Sequence, residues 1–456
     1  MPPALKKNCM ARKPDRKAPR TSRVPSSRLG RLLRLGLTAG ELAVGGLSEG
    51  LRRLTGVAPG EAVNLFLTPA NAQKLARRLA GMRGAAMKMG QLLSMESADF
   101  LPREFADALA VLRDAADTMP ESQVRRVLGQ AYGKGWASRF EHFDFAPLAS
   151  ASIGQVHRAL SRDGRDLALK IQYPGVARSI GSDVDNLAMF LRLAHILPIE
   201  MDVSGIVAEA KRQLKQEADY LAEAAYLRAY RALVQDEPDF IVPRVHDDLT
   251  TRRVLAMDYV GGQPLESLGE EGVEQKLRDR VGALLEHLMF RELFDFRTMQ
   301  SDPNFANYLY RPEDGRIVLL DFGSTVAFSE AFTARYGHIA RALIDQDTGA
   351  VRDYAEQIGY LGAADSAAHA ARVLNVIRIV CEPIRYNKVY DFGASDLVSR
   401  ARDAGLEMLF SSHGEFRVPP PETVFLHRKL VGSFLLCARI RARVNVQKLI
   451  RPYLPD

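Results

Sequence analysis

The segment Asp302-Pro-Asn-Phe-Ala-Asn307, followed by Leu319-Leu-Asp321-Phe-Gly323, constrains this chain more than any other. An Asp, an Asn five residues later, and an Asp-Phe-Gly after an apolar strand read as a phosphoryl-transfer site. The first Asp, Asp302, orients or deprotonates a nucleophile. Asn307 and Asp321 supply oxygen ligands to Mg²⁺ on ATP phosphates; one Asn and one Asp suffice, because Mg²⁺ takes its other ligands from phosphate and water. Asp-Phe-Gly alone is a weak signal. A second copy, Asp391-Phe-Gly393, has no Asp-x₄-Asn upstream and no apolar strand leading into it, so it reads as a loop.

The remaining parts of a kinase-type site occur in the right order. Phe145 to His157 and Asp166 to Gln172 flank Arg162-Asp163-Gly164, a hairpin turn signal. The pattern is strand, small-residue loop, strand, tight turn, strand, with Lys170 on the third strand, where a kinase keeps the Lys that meets the α- and β-phosphates. Leu167, Leu169 and Ile171 alternate with Ala168, Lys170 and Gln172. That alternation by itself also permits a solvated strand lysine.

On a helix drawn through residues 203–232, Ile206, Ala210, Leu214 and Leu221 share one stripe, and Glu217 falls inside it. A carboxylate on an apolar face is costly unless paired. Lys170 is the obvious cation, although a Glu snorkelling at the stripe's edge fits the pattern as well. Asp219 lies on the opposite face and should serve something else. Val254 to Gly262 reads as a strand running into a Gly-containing linker between lobes, with Met257 and Val260 facing adenine.

With these residues together, the chain resembles the UbiB/AarF/ABC1 family of atypical protein-kinase-like proteins, linked to coenzyme Q (ubiquinone) biosynthesis. The resemblance rests on Lys88-Met-Gly-Gln91 (the K-x-G-Q motif), Ala149-Ser-Ala-Ser-Ile-Gly-Gln-Val-His157 (the Ala-rich loop), and Ala168-Leu-Lys170. Glu217-Ala-Asp219 (the E-x-D motif), Gln300 to Asn307, and Leu320-Asp-Phe-Gly323 complete it. It spans roughly residues 70 to 445, and the motifs are highly specific as a set. It implies an α+β, protein-kinase-like bilobal fold with an N-terminal helical extension packed over the active site. The small lobe would hold antiparallel strands and one helix, and the large lobe would be mainly helical. It also implies ATP and Mg²⁺ as ligands, and ATPase or phosphotransferase activity with an acceptor the sequence leaves unnamed.

The extension carries its own pattern. On a helix from about Asn71 to Ser97, Leu75, Leu79, Met82, Ala86, Met89 and Leu93 form an apolar stripe, while Gly84, Lys88 and Gln91 lie on the other face. A glycine beside a Lys and a Gln suggests close backbone approach with two polar groups aimed at a partner; an ordinary solvated face is the alternative. The resemblance implies that this helix crosses the place where a kinase receives its peptide, with Lys88, Gln91 and Asp219 as acceptor-site or regulatory residues. In the phosphate loop, Ala149, Ser150, Ala151 and Ser152 carry Cβ atoms where a kinase has glycines, which predicts a stiffer loop. Ser150 departs from the family's alanines, and its hydroxyl could donate to a phosphate or to the loop. No Ala-Pro-Glu follows Asp321-Phe-Gly, which argues against a regulated activation loop and a peptide platform.

Five segments are expected: a disordered basic tail (1–35), an interfacial or amphipathic segment (36–70), the K-x-G-Q extension (71–135), the N-lobe (136–262) and the C-lobe (263–456). Cys9, Cys381 and Cys437 have no paired spacing, which argues against a disulfide framework or zinc site and suggests a reducing compartment. No stretch of 18 uninterrupted apolar residues marks a transmembrane helix. Residues 1–35 hold eleven Lys and Arg against Asp15 alone, while the whole chain carries only +7. The basic character is therefore a property of the tail.

A tail of that kind reads as a mitochondrial transit peptide or a basic arm for anionic lipid. Nucleic acid ranks low, because no aromatic residue lies among the charges to stack a base. The arginines run into the small-residue, apolar segment from Leu29 to Leu47, which suits an interfacial helix. The expected place is therefore the bacterial cytoplasm, peripheral at the inner membrane, with the mitochondrial matrix after transit-peptide removal as the alternative. Expected partners are an anionic membrane surface, quinone-precursor lipids and ubiquinone-biosynthesis enzymes; oligomeric state has no signal. Three functions stay open: an ATPase-type atypical kinase handling lipid intermediates, a kinase acting on a prenylated phenol, and a nucleotide-binding scaffold without turnover.

Overall fold

A computed structural model describes residues 84–86, 88, 118–193, 204–302, 304–362, 365–411 and 421–455. The basic tail, the segment 36–70, Gln91 and most of the helix expected over 71–97 lie outside the described residues. The small lobe begins with α1 (Glu121–Tyr132). A five-stranded antiparallel sheet follows, from β1 (Phe140–Phe143), β2 (Ala149–Ser150), β3 (Gly154–Ser161) and β4 (Asp166–Gln172), completed by a later strand, β6. The β3–β4 hairpin forms where the sequence places it. Gly164 adopts φ +83, which its missing Cβ permits, and its N–H donates to Ser161 O at 3.0 Å. Alternation on β4 sends Leu167, Leu169 and Ile171 into one core with Val124, Val127 and Leu128 of α1, Trp136 and Phe140. Lys170 is left facing the opposite side.

That side is covered by α2 (Val176–Leu193), α3 (Ser204–Glu217) and α4 (Tyr220–Leu233), so the small lobe carries more than the one expected helix. The single helix drawn through 203–232 is in fact two. Asp219 (φ −96, ψ 82) caps α4 by accepting from Ala222 N at 3.1 Å. An Asp at that position offers the helix start an acceptor its own backbone lacks. The break shifts the helical phase: Tyr220 and Leu227 are buried, whereas Leu221, placed in the apolar stripe by sequence, is exposed.

The chain then passes between lobes through β5 (Phe240–Ile241), β6 (Val254–Asp258) and β7 (Gln263–Pro264). β6 joins the small-lobe sheet beside β4, while β5 and β7 join a second sheet of order β5-β10-β9-β7. The large lobe continues with α5 (Gln275–Phe290), β8 (Thr298–Gln300), β9 (Tyr308–Arg311), β10 (Arg316–Leu319), β11 (Thr325–Ala327), α6 (Glu330–Ile344), α7 (Thr348–Ile358) and α8 (Ala367–Val380). It ends in β12 (Tyr390–Asp391), α9 (Leu397–Ser411), α10 (Pro421–Arg439), β13 (Arg443–Val444) and α11 (Val446–Ile450). Cys381 and Cys437 are free thiols. Among the described residues no helix is long and apolar enough to cross a membrane.

Where α5 crosses α10, the Glu286 carboxyl is fully buried. It accepts from Ser433 Oγ at 2.6 Å and leaves Oε2 without a hydrogen-bond partner. Burial pushes this carboxyl up to about 7, against the opposing pull of Ser433, Cys437 and Lys429. A raised carboxyl contributes stability below its unfolded value, and that contribution is lost as pH rises through its folded value. Glu286→Gln should therefore flatten the loss of stability between about pH 5 and pH 8, with a difference of up to about 3 kcal/mol at the upper end. Urea unfolding of both proteins across this range checks it; parallel pH profiles would show that Glu286 titrates as an ordinary carboxyl.

Candidate active site

Two short ladders bring the two acidic loops together. β9 and β10 pair from Tyr308–Leu319 to Arg311–Arg316, and β8 pairs with β11. Leu320 N donates to Asn307 O (3.0 Å), and Ser301 N and Oγ both donate to Ser324 O (2.9 and 2.8 Å). Asp302, Asn307 and Asp321 are thus fixed by backbone contacts between neighbouring loops. The Asn307 amide donates Nδ2 to Asp302 O at 3.1 Å, which leaves its Oδ1 as an acceptor. After Gly323 the chain passes through β11 and reaches α6, whose start Ser329 caps, so only a short strand separates Asp-Phe-Gly from the next helix.

Lys170 meets Glu223, not Glu217. Its Nζ lies 2.7 Å from Glu223 Oε1 and 3.4 Å from Asp321 Oδ2. Burial alone would lower the Lys170 ammonium, but the two carboxylates outweigh it and hold it well above the ordinary lysine value. Asp321 is held below the usual carboxylate range: burial raises it, and Lys170 together with the Gly323 N–H more than offsets that. Burial raises the Glu223 carboxyl to about 7 against the pull of Lys170, and the nearby charges of Asp321 and Glu217 add to the rise. Glu223 stands in the first turn of α4, six residues past the assigned carboxylate. The 2.7 Å bond from Gln172 Nε2 to Ala218 O ties the α3–α4 break to the end of β4 and sets this register.

Glu217 has a different partner. Lys88 Nζ lies 2.6 Å from Glu217 Oε1, with Lys88 only 3% exposed, and Ser152 Oγ donates to Glu217 Oε2. Lys88 is therefore no solvated-face residue. Gly84 makes the close approach expected of it: a Cβ there would lie 3.0 Å from Ser152 O and 3.2 Å from Ile153 Cγ2. The Ala-rich loop is shorter than its sequence suggested. Ala149 and Ser150 pair with Val156 and Gln155 as strand β2, and only Ala151 to Ile153 form the turn, closed by Ala151 N to Gly154 O at 2.9 Å. Within the turn, it is the Ser152 hydroxyl that bonds a neighbouring side chain, Glu217. Asp219 caps α4 through Oδ1, and Met257 and Val260 sit at the end of β6 and in the linker, which packs against β9 through Gly262.

α10 supplies two residues that sequence reasoning missed. Arg428 Nη2 lies 2.5 Å from Asp302 Oδ1 and reaches Gln213 on α3 at 3.4 Å, so one guanidinium links the large lobe, Asp302 and the small lobe. Lys429 Nζ lies 2.7 Å from Glu292 Oε2 and 3.0 Å from Gln300 O. Fully buried Glu292 also accepts from Tyr230 OH (2.7 Å) and Gln300 N (2.9 Å), tying α4 to the strand entering the Asp302 loop. The signal was present: Arg428 and Lys429 interrupt an apolar helix, and buried cations require partners as much as Glu217 did.

A family model, the ABC1 atypical kinase-like domain, matches residues 111–355. The chain belongs to the ABC1 atypical kinase-like family. It is 37% identical over 96% of its length to the atypical kinase COQ8B, mitochondrial, of Rattus norvegicus, covering 84% of that protein. It is 34% identical over 95% of its length to the atypical kinase COQ8, mitochondrial, of Saccharomyces cerevisiae, covering 86%. Among solved structures it is similar to Rv3197 of Mycobacterium tuberculosis, described as a complex with erythromycin. That match has TM-score 0.60 and 28% identity, covering 87% of this chain and 99% of that one. Membership in the ABC1 family makes the two-lobed α+β arrangement a kinase-like fold, with Lys170, Asp302, Asn307 and Asp321 converging between its lobes.

Proposed function

We propose that this ABC1-family chain binds Mg-ATP and acts as an ATPase or phosphotransferase supporting ubiquinone biosynthesis at a membrane surface. The observation that carries the reading is Lys170 Nζ, held at 2.7 Å from buried Glu223 and 3.4 Å from the half-buried Asp321. A phosphate-gripping lysine needs such positioning, and a protein without nucleotide chemistry has little use for a buried Lys–Glu pair aimed at a third charge there. The relatives' names, atypical kinase COQ8, support the same activity and pathway, and the word mitochondrial in those names favours that compartment over the bacterial membrane.

The residues fit the ligands. Asp321 is a depressed carboxylate and Asn307 has a free amide oxygen, the hard oxygen donors Mg²⁺ prefers. Bound there, the ion would neutralise charge on the ATP phosphates. Lys170, oriented by Glu223, grips the phosphates beneath the turn Ala151–Ser152, while Met257 and Val260 face the adenine. Asp302 orients the acceptor or water, with Arg428 fixing the position of its carboxylate. Quinone-precursor lipids and other ubiquinone-biosynthesis enzymes are the partners this reading entails. Incubation with γ-labelled ATP, with and without membranes and phenolic quinone precursors, tests it. Label in free phosphate supports an ATPase, label in an organic product supports a lipid kinase, and label left in ATP supports a scaffold and overturns the proposal.

Lys88 restrains the site rather than carrying its chemistry, because it ties Glu217 and Ser152 to the helix laid over the phosphate turn. Lys88→Ala is expected to change ATP affinity by at least about threefold and to release self-labelling, since a broken buried pair leaves Glu217 and the turn free to move. A variant matching the wild type in nucleotide binding, phosphate release and self-labelling would reduce the pair to a structural tie.

A further inference from the structure

We propose that the loop Arg385–Val389 of the large lobe is a docking surface for an anionic lipid bilayer, a site that rests on the membrane-surface reading above. The loop leaves α8 and turns into β12. Its tip exposes two large apolar side chains, Tyr386 at 41% and Val389 at 62%. Cations flank the Tyr386 ring, with the Arg385 guanidinium 5.2 Å and the Lys388 ammonium 5.1 Å from its centroid. An apolar tip ringed by cations is the side-chain order that suits a bilayer interface, apolar atoms at the acyl boundary and cations at the headgroups.

A second stretch of chain adds to the same edge. β12 pairs with β13 (Tyr390 with Val444, Asp391 with Arg443), and Asn445 Nδ2 donates to Asn387 Oδ1 at 2.9 Å. These contacts place Arg441 and Arg443 beside the loop. Arg443 is paired with Asp391, but Arg385, Lys388 and Arg441 have no carboxylate partner among the described residues. Asp279, which accepts from Arg443 N at 2.8 Å, is the one carboxylate there outside an ion pair, so the edge keeps a net positive charge around an apolar tip. Arg441 holds φ +54, a backbone state that Gly or Asn would adopt at lower cost, and packs against Gly393. That state closes the end of α10, with Arg441 N donating to Ala438 O and Ala442 N to Cys437 O at 2.9 Å, and it sets Arg441 on this edge. Charge complementarity thus selects an anionic surface, and the exposed Val389 and Tyr386 select one with an apolar interior.

The placement also suits the site. β13 follows α10 directly, and α10 carries Arg428, which holds Asp302. Arg428 and Arg439 are eleven residues apart, about 17 Å along the helix. A bilayer at this edge would meet the far end of the helix that contacts Asp302, without covering the site.

The full-length chain carrying Val389→Trp provides the test, because the one native tryptophan, Trp136, is buried in the small lobe, away from this loop. With cardiolipin-containing vesicles, emission should shift to the blue and be quenched by bromine-labelled acyl chains; with neutral phosphatidylcholine vesicles it should do neither. Adding Lys388→Glu and Arg441→Glu should weaken vesicle binding at least about tenfold, while the Mg-ATP thermal shift persists and reports an intact fold. Cosedimentation without any change in emission from the introduced tryptophan would overturn this inference, assigning lipid to another part of the chain and leaving the membrane reading standing. Absence of cosedimentation with any vesicle at low salt would overturn both. Binding of the cationic edge to an acidic protein, with the introduced tryptophan silent on vesicles, would equally overturn it.

Discussion

In a thermal-shift titration with Mg-ATP, Asp321→Asn is expected to show no metal-dependent stabilisation, while Asp391→Asn behaves as wild type. The two carboxylates begin the same tripeptide and make the same local turn. Asp321 Oδ1 accepts from Gly323 N at 2.9 Å, and Asp391 Oδ1 accepts from Gly393 N at 3.0 Å. They differ in what lies opposite. Asp321 Oδ2 faces Lys170, a buried cation, beside Asn307, whereas Asp391 Oδ2 faces Arg443, an exposed one, at 3.0 Å. Losing an outer-shell partner of a metal typically costs 10- to 100-fold in affinity, so losing a ligand carboxylate should cost at least about 100-fold. Because the folded Asp321 lies below its ordinary value of 3.8, its charge is fully present at neutral pH and is lost only as pH falls through that lowered value. Retained Mg-dependent stabilisation in Asp321→Asn, or its loss in Asp391→Asn, would move the metal site.

What the sequence made legible was chemistry with a local signature. The hairpin turn and strand order placed Lys170 on β4, the Asp-x₄-Asn spacing and the apolar strand pointed to Asp302, Asn307 and Asp321, and Gly84 beside Lys88 announced a close approach. What it hid depends on phase and on distance in the chain. Asp219 reads as a residue within a helix, yet its short acceptor side chain begins a new one. That one difference carries Glu217 to the wrong lysine and sends Leu221 into the core on paper. Ala149 and Ser150 look like loop residues by composition, yet β3 offers them a ladder, and pairing overrides weak propensity. Arg428 lies 126 residues from Asp302 in sequence, and no spacing rule reaches across that separation. Two cations inside an apolar helix were a signal of the same kind as Glu217 on its stripe, but they name no partner.

Correcting the pairing gives the second large expectation. Glu223→Gln should lower turnover of Mg-ATP by at least about 100-fold, the scale of losing one preorganised electrostatic partner, whereas Glu217→Gln should leave turnover within about threefold of wild type or above it. In the first variant Lys170 keeps only Asp321 at 3.4 Å, so its ammonium is free to collapse onto the metal carboxylate instead of the phosphates. In the second, the Lys170–Glu223 pair is untouched, and what is lost is the tie from Lys88 to the phosphate turn. Stability should separate the variants too. Glu223 is 1% exposed, and truncation to Ala strands a buried lysine, at a cost of about 3–5 kcal/mol in urea unfolding. Glu217 is 17% exposed, so water can reach the group left behind and the loss should be smaller. Single-turnover phosphate release, read beside urea midpoints, distinguishes a lost chemical role from a lost fold. Were Glu217→Gln the inactive variant and Glu223→Gln the active one, the Lys88 and Lys170 pairs would have exchanged functions, and the helix break at Asp219 would no longer explain which carboxylate orients the nucleotide lysine.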